Sequence, residues 1–248
     1  MTVQTQDFIA QIAQGKTHFS RLTLTDDDLS MLRADDLTLK HCRFERVDFS
    51  GAVLEAAICT ECTFVDCDFT EAYLPEARFS HTRFYEQAGE CNFQRANLTL
   101  AEFEACDLRM CDFSRAILIR ATFDEVNAMG ASFHLARFDN AVKITNSNFR
   151  YVDLTGANLK RCDLNHTIFV QANFQEAHLT EAYLIGASLG GATWRYADVK
   201  GVDVRGADVS SFDIRTMDLT GIKIYEHQQR MLLEAADVVV FPDEQDSQ

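Results

Sequence analysis

The groups in this 248-residue chain that could do chemistry are eight cysteines, seven histidines and a surplus of carboxylates. Thiolates and imidazoles at short spacing hold zinc. The chain offers one CxxC, Cys59-Thr60-Glu61-Cys62, without a second pair at zinc-finger spacing. His18, His41, His81, His134, His166, His178 and His227 are scattered, as surface residues are, rather than clustered as ligands. Paired carboxylates could act as the acid and base of a glycosidase, but here they follow from a regular positional preference. The sequence contains no GxSxG, no P-loop and no HExxH. The expectation is a protein that is not an enzyme and needs no metal or cofactor.

What positions these groups is a five-residue beat. Phe44, Phe49 and Leu54, then Phe64, Phe69, Leu74, Phe79 and Phe84, recur at every fifth place, with Ala or Cys two places before six of the eight: Cys42, Ala52, Cys62, Cys67, Ala72 and Ala77. With the large position called i, Cys42, Cys62, Cys67, Cys91, Cys106, Cys111 and Cys162 all fall at i-2, where alanine is commonest, and Cys59 falls at i. A buried thiol is a small hydrophobe that fits an alanine site, so these cysteines are expected to be structural. Position i-1 is often Asp or Asn, whose short side chains bond nearby backbone in turns. Each five-residue unit therefore turns one corner, with i-2 and i inward and the rest outward.

The beat runs from Phe19 to Phe84, from Phe93 to Phe138 and from Phe149 to Ile224, giving 40 units in register. It slips twice. The segment between Phe84 and Phe93 is one residue short of two units, and the segment Asp139 to Asn148 is one residue longer than two units allow. Two inward side chains per unit bury themselves only by stacking on like units. This pattern resembles the pentapeptide-repeat family over residues 17–226. The resemblance implies an all-β solenoid, a right-handed quadrilateral parallel β-helix with four units per coil. Forty units then make about ten coils, a rod of roughly 48 Å at the inter-strand spacing.

The ends break the pattern. Thr5 to Gln14 reads as a short helix, capped by Thr5 and ended by Gly15, plugging the first coil. Glu226 to Ala236 reads as a second helix and Val238 to Phe241 as a strand closed by Pro242. The expected organisation is a helical cap at 1–16, the β-helix at 17–225, a dimerisation segment at 226–242 and a disordered tail at 243–248. Met231, Leu232, Leu233, Val238 and Val240 carry more apolar surface than a cap needs, which points to a symmetric homodimer interface.

The net charge of -15 argues against direct binding to nucleic acid, whose affinity rests on basic side chains. With no apolar run of 18 residues and no signal-peptide pattern at Met1 to Ala13, no membrane span is expected and the default location is cytoplasmic. The acids are concentrated. Glu45, Asp48, Glu55, Glu61, Asp66, Asp68, Glu71 and Glu76 face a single base, Arg46, within residues 45–76. A rigid acidic rod could occupy a protein groove built for DNA, which carries one negative charge per about 1.7 Å of axis.

Within the family the chain is similar to the Qnr-type quinolone-resistance proteins, which act on DNA gyrase and topoisomerase IV. Phe84-Tyr85 with Gly89 and Cys91-Asn92-Phe93 resembles the entry and exit of that group's first projecting loop. Ile144 to Phe149 resembles the run after its second loop; Asp213-Ile214-Arg215, Gly221 to Ile224, Gln228 and Leu232-Leu233-Glu234 resemble its last coil and dimerising helix. The resemblance implies a DNA mimic that binds a type II topoisomerase and protects it from quinolones or a natural poison. The expected contacts are the eight acids together with Tyr85, Glu86, Gln87 and Glu90. Both Qnr loops are larger than these slips, so docking by a nearly unadorned rod is expected. The alternative is a structural or scaffold module whose acidity serves solubility alone.

Overall fold

Two residues after each large core side chain the backbone turns left-handed. In the first turn of the solenoid these corner residues are Arg21, Asp26, Met31 and Asp36, at φ 55°, 55°, 61° and 55°. A side chain in this region costs about 1–2 kcal/mol per residue, so an isolated corner of this kind is unfavourable. Stacking offsets the cost, because corner amides bond to the next coil: Arg21 N–H to Lys40 O at 3.0 Å and Asp26 N–H to Glu45 O at 3.0 Å. The computed structural model describes residues 3–86, 89–139 and 141–240. They form a four-sided parallel β-solenoid.

The first wall is the best ordered. It contains β1 (His18–Ser20), β3 (Thr38–Lys40), β5 (Ile58–Thr60), β7 (Arg78–Ser80), β10 (Glu102–Glu104), β11 (Thr122–Asp124) and β12 (Lys143–Thr145), all parallel. The second wall contains β2 (Thr23–Thr25), β4 (Arg43–Glu45) and β6 (Thr63–Val65). The third and fourth walls are columns of single bridges: Asp28, Asp48, Asp68, Asn92 and Asp112 in one, Arg33, Val53, Tyr73, Asn97, Ile117 and Arg137 in the other. Seven strands in wall one make six coil-to-coil steps, where about ten coils are expected from the repeat count. Beyond β12 the same wall climbs by single bridges, Lys143 to Asp163, Tyr183, Asp203 and Lys223. Asp163 and Asp203 stand on two of those rungs, and Asp is depleted in strands.

Inside, large residues stack on large and small on small. Phe44 lies on Phe64 at 5.0 Å, Phe49 on Phe69 at 4.9 Å and Phe93 on Phe113 at 4.8 Å, with planes within 9°. Rings displaced by one inter-strand spacing give the offset-stacked geometry aromatic pairs prefer. All eight cysteines are buried and free of disulfides. Cys62 donates its S–H to Leu39 O, and Cys91 to Phe64 O.

Both register slips resolve differently from the sequence count. Ile144 pairs with Phe123 and is fully buried, so the stretch from Asp139 to Asn148 contains a core position the five-residue count passes over. The extra residue lies between Phe138 and Ile144. The first slip is one unit with a four-residue insertion, since Arg78 pairs with Glu102 rather than with a residue twenty places on. The insertion forms a hairpin, β8 (Tyr85–Glu86) antiparallel to β9 (Gly89–Glu90).

The ends also differ. Helix α1 (Val3–Ala13) covers the first coil, with Phe8 buried edge-on against Phe19 at 4.7 Å. Thr5 lies inside α1 instead of capping it, and its hydroxyl donates to the buried Asp27 carboxylate. At the other end α2 spans Gln228–Ala235. The strand expected from Val238 is not formed over Val238–Val240; Phe241, Pro242 and the tail lie outside the described residues. The bridges of wall one stop at Lys223, paired to Asp203, and among the described residues no bridge joins Val238–Val240 to that rung. Gln228 closes the last turn: its amide donates to Val204 O and Ala207 O and accepts from Gly206 and Tyr225 N–H.

Near residue 212 the stacking loosens. Phe212 sits at an i-2 position, where the core elsewhere takes alanine or cysteine, and is buried against Trp194 at 4.8 Å. Trp194 also stacks on Phe174 at 4.5 Å and donates from its indole nitrogen to Ser211 Oγ. Two bulky residues now share space sized for one. Among the described residues the bridges of walls three and four end at Thr193 and Asp198, leaving a cleft of about 460 Å³ beside Trp194 and Met217.

Candidate functional site: an acidic wall and a folded hairpin

Wall three presents its i-1 residues one above another, at the inter-strand spacing of about 4.8 Å. In the first three coils these are Asp28, Asp48 and Asp68. Each accepts the N–H two residues on: Ser30 at 2.9 Å, Ser50 at 2.7 Å and Thr70 at 2.9 Å. The aspartates thus form Asx turns that hold the corner backbone while the rest of each carboxylate faces outward. The Ser30 hydroxyl and N–H hold the Asp28 carboxyl below its usual range. Left-handed corners flank the column, bearing Asp26 and Asp66 on one side and Glu71 on the other.

Of the eight block-one acids, the fold gathers Asp48, Asp66, Asp68 and Glu71 on this wall and its edges. It scatters the rest. Glu45 belongs to β4 on wall two, Glu55 lies on wall four, and Glu61 and Glu76 occupy the two remaining corners. Around one coil Glu61, Asp66, Glu71 and Glu76 stand at four successive corners, a band rather than a stripe. Asp26 and Asp28 complete the wall, although the sequence window of 45–76 excludes them. Laying the chain out in rows of twenty brings them into column, and that is the signal that finds them.

Several of these charges are answered locally. Arg46 bridges Asp26 at 2.5 Å and Glu45, and it holds both carboxyls below their usual range. Glu61 pairs with His41 at 3.2 Å, and Glu71 with Arg95 at 3.1 Å. Among the described residues Glu55, Asp66, Glu76 and Glu90 have no ion-pair partner. The β8–β9 hairpin folds down along wall two: Glu86 meets Arg43 at 2.6 Å, and the Arg109 guanidinium covers the Tyr85 ring at 4.7 Å. Gly89 lies so close to β6 that a Cβ there would come within 2.7 Å of Val65 Cγ1. Gln87 lies outside the described residues. Among the described residues no group of three His, Cys, Asp or Glu could hold a metal ion, and no helix is long and apolar enough to cross a membrane.

A four-walled solenoid with large and small residues alternating inside every five-residue side defines a class, and comparison with known proteins agrees. The profile of pentapeptide repeats matches in eight copies across 36–210. The chain belongs to the pentapeptide-repeat family. It is 33% identical over 139 residues to the quinolone resistance pentapeptide repeat protein QnrB96 of Scandinavium goeteborgense, covering 52% of this chain and 63% of that one. It is 30% identical over 133 residues to the pentapeptide repeat protein QnrB4 of Escherichia coli, covering 49% and 60%. The match thus spans about three-fifths of the length of these relatives. A trypsin-treated variant of QnrB1, a plasmid-mediated fluoroquinolone resistance protein, superposes with a TM-score of 0.72 at 26% identity, covering 91% of this chain and 100% of that one.

Proposed function

We propose that this chain is a non-enzymatic DNA mimic that enters the DNA-binding saddle of a type II topoisomerase, DNA gyrase or topoisomerase IV, and protects it from quinolones or a natural poison. The observation that carries the reading is the carboxylate column of wall three, Asp28, Asp48 and Asp68, with Asp66 and Glu71 at its edges. A rigid column of regularly spaced anions has the charge character of a phosphate backbone, and its stiffness lowers the ordering cost of docking. The likeness to proteins named for quinolone resistance supports the same reading. The folded hairpin leaves the rod nearly smooth, so contact is assigned to the wall rather than to a projecting loop. A second copy is proposed to join at the C-terminus, where Leu233, Val238 and Val239 are 37%, 45% and 75% exposed.

The test is gyrase supercoiling with and without ciprofloxacin, in the presence of excess protein. Rescue of supercoiling in the drug's presence is the expected result. No effect on supercoiling and no rescue sinks the proposal. The scaffold reading has one observation in its favour, the engagement of Asp48 and Asp68 by their own backbone. Charge reversal separates the two. Asp66→Lys with Glu71→Lys weakens topoisomerase binding if wall three is the contact, while Glu61→Lys with Glu76→Lys, on the other corners, leaves it unchanged. A scaffold shows no topoisomerase phenotype with either pair.

A further inference from the structure

The middle of the rod lacks the net negative charge of its ends. Residues 91–161 carry nine Lys and Arg against eight Asp and Glu, in a chain whose net charge is -15. The cations in this stretch are concentrated on wall four. Arg115 and Arg120 stand at the two corners of one coil, Arg137 is bridged to Ile117 on the next, and Lys160 lies one coil further. All four are exposed, and among the described residues none has an ion-pair partner. Asp139, the one acid between them, spends its carboxylate on the Arg120 and Ala141 N–H groups at 2.9 and 3.2 Å. Between the two arginine corners Ile117 and Ile119 point outward half-exposed, and Leu135 beside them is 42% exposed.

We infer that wall four of the central coils is a docking surface for an extended, acidic polypeptide segment with apolar side chains, supplied by a partner protein. Arginine is enriched at protein interfaces and their buried core is more apolar than the surrounding surface, a pairing that arginine flanking exposed isoleucine supplies. The charge complements an acidic strand, and the outward Ile117 and Ile119 lie beside where its apolar side chains would rest. A phosphate backbone would use the cations but gain nothing from the isoleucines, and the rest of the rod would repel it. The inference does not rest on the topoisomerase reading: Arg115 stands at the corner shared with wall three, but the carboxylates of that wall take no part.

The experiment uses the full chain and a fluorescein-labelled peptide of alternating glutamate and leucine, read by fluorescence anisotropy at low and high salt. The expected result is saturable binding that weakens with salt and drops about tenfold in Arg115→Glu/Arg137→Glu, since each reversal replaces an attraction with a repulsion. Arg83→Glu/Arg150→Glu, on wall two, leaves it unchanged. If the first double variant does not fold, Arg120→Gln/Lys160→Gln is expected to show the same loss. Equal binding by wild type and the wall-four variant overturns the proposal. So does tighter binding of a short DNA duplex than of the peptide, which makes the surface a nucleic-acid site. Self-association of the chain at low salt that the wall-four variant abolishes also overturns it, by making the occupant a second copy.

Discussion

Glu86 reaches Arg43 at 2.6 Å across two coils, and this pair lays the β8–β9 hairpin along wall two instead of letting it project. Both partners are more than a third exposed, so the pair contributes on the order of 0.2–1 kcal/mol. Glu86→Lys is therefore expected to leave the melting temperature nearly unchanged while speeding hydrogen exchange at the hairpin amides. Gly89→Ala should do the same by steric means, because Val65 sits in a paired strand and cannot retreat. Unchanged exchange in both variants would show that the hairpin is held by something other than these contacts.

The wedge at Phe212 gives a second prediction. Phe113 is fully buried between Phe93 and Phe133, at 4.8 and 4.9 Å, in a column that cannot collapse, and Phe113→Ala should cost about 3–5 kcal/mol. Phe212→Ala should cost clearly less, since the loosened last coil can settle onto its neighbour once the bulky group is gone. Urea midpoints of the two variants test this. Equal losses would mean that Phe212 fills its site as any core phenylalanine does.

The two slips and the wedge also show how much could be read without coordinates. The beat of five locates the inward positions because each unit stacks only on its own kind, and the buried phenylalanine columns follow from that periodicity alone. Ile144 escaped because a one-residue insertion shifts the count to six, and counting by five then discards a residue that pairing restores. Asp26 and Asp28 escaped for a different reason. Their membership of the acidic wall depends on the twenty-residue climb, a property of the coil and not of the unit. The direction in which the hairpin lies rests on one ion pair, one cation–π contact and one glycine, and no periodicity reports such contacts. Phe212 is a large residue at an i-2 position, and the consequence of that depends on Trp194 standing one coil below.

The buried thiols give a pH prediction. Burial pushes Cys106 and Cys162 up to about 12; at Cys62 the hydrogen bond with Cys42 lowers the value, but the Cys59 thiol and burial outweigh it and raise Cys62 to about 12 as well. The folded protein thus keeps protons that the unfolded chain releases near pH 8.5. The folded pKa is the higher one, so this stability is fully present below the unfolded pKa and is lost progressively as pH rises towards 12. Unfolding midpoints should fall between pH 9 and pH 11 by more than in a variant carrying Cys62→Ala, Cys106→Ala and Cys162→Ala. Native protein should also resist iodoacetamide and react once unfolded. Fast labelling of native Cys106 would contradict its burial.

The C-terminal helix places adjacent leucines in different environments. Leu232 is 7% exposed, packed against its own core, whereas Leu233 is 37% exposed and Val239 75%. Leu232→Asp puts a charge into the plug over the last coil and should lower stability by several kcal/mol, as an unpaired buried charge does. Any change of mass in that variant then reports a damaged cap. Leu233→Asp with Val239→Asp touches only the outer surface, so its fold and melting temperature should be retained. If a second copy docks there, light scattering will show the mass of this double variant halved relative to wild type. Unchanged mass with an intact fold would assign the helix to capping alone, and the exposed valines to the segment that follows it.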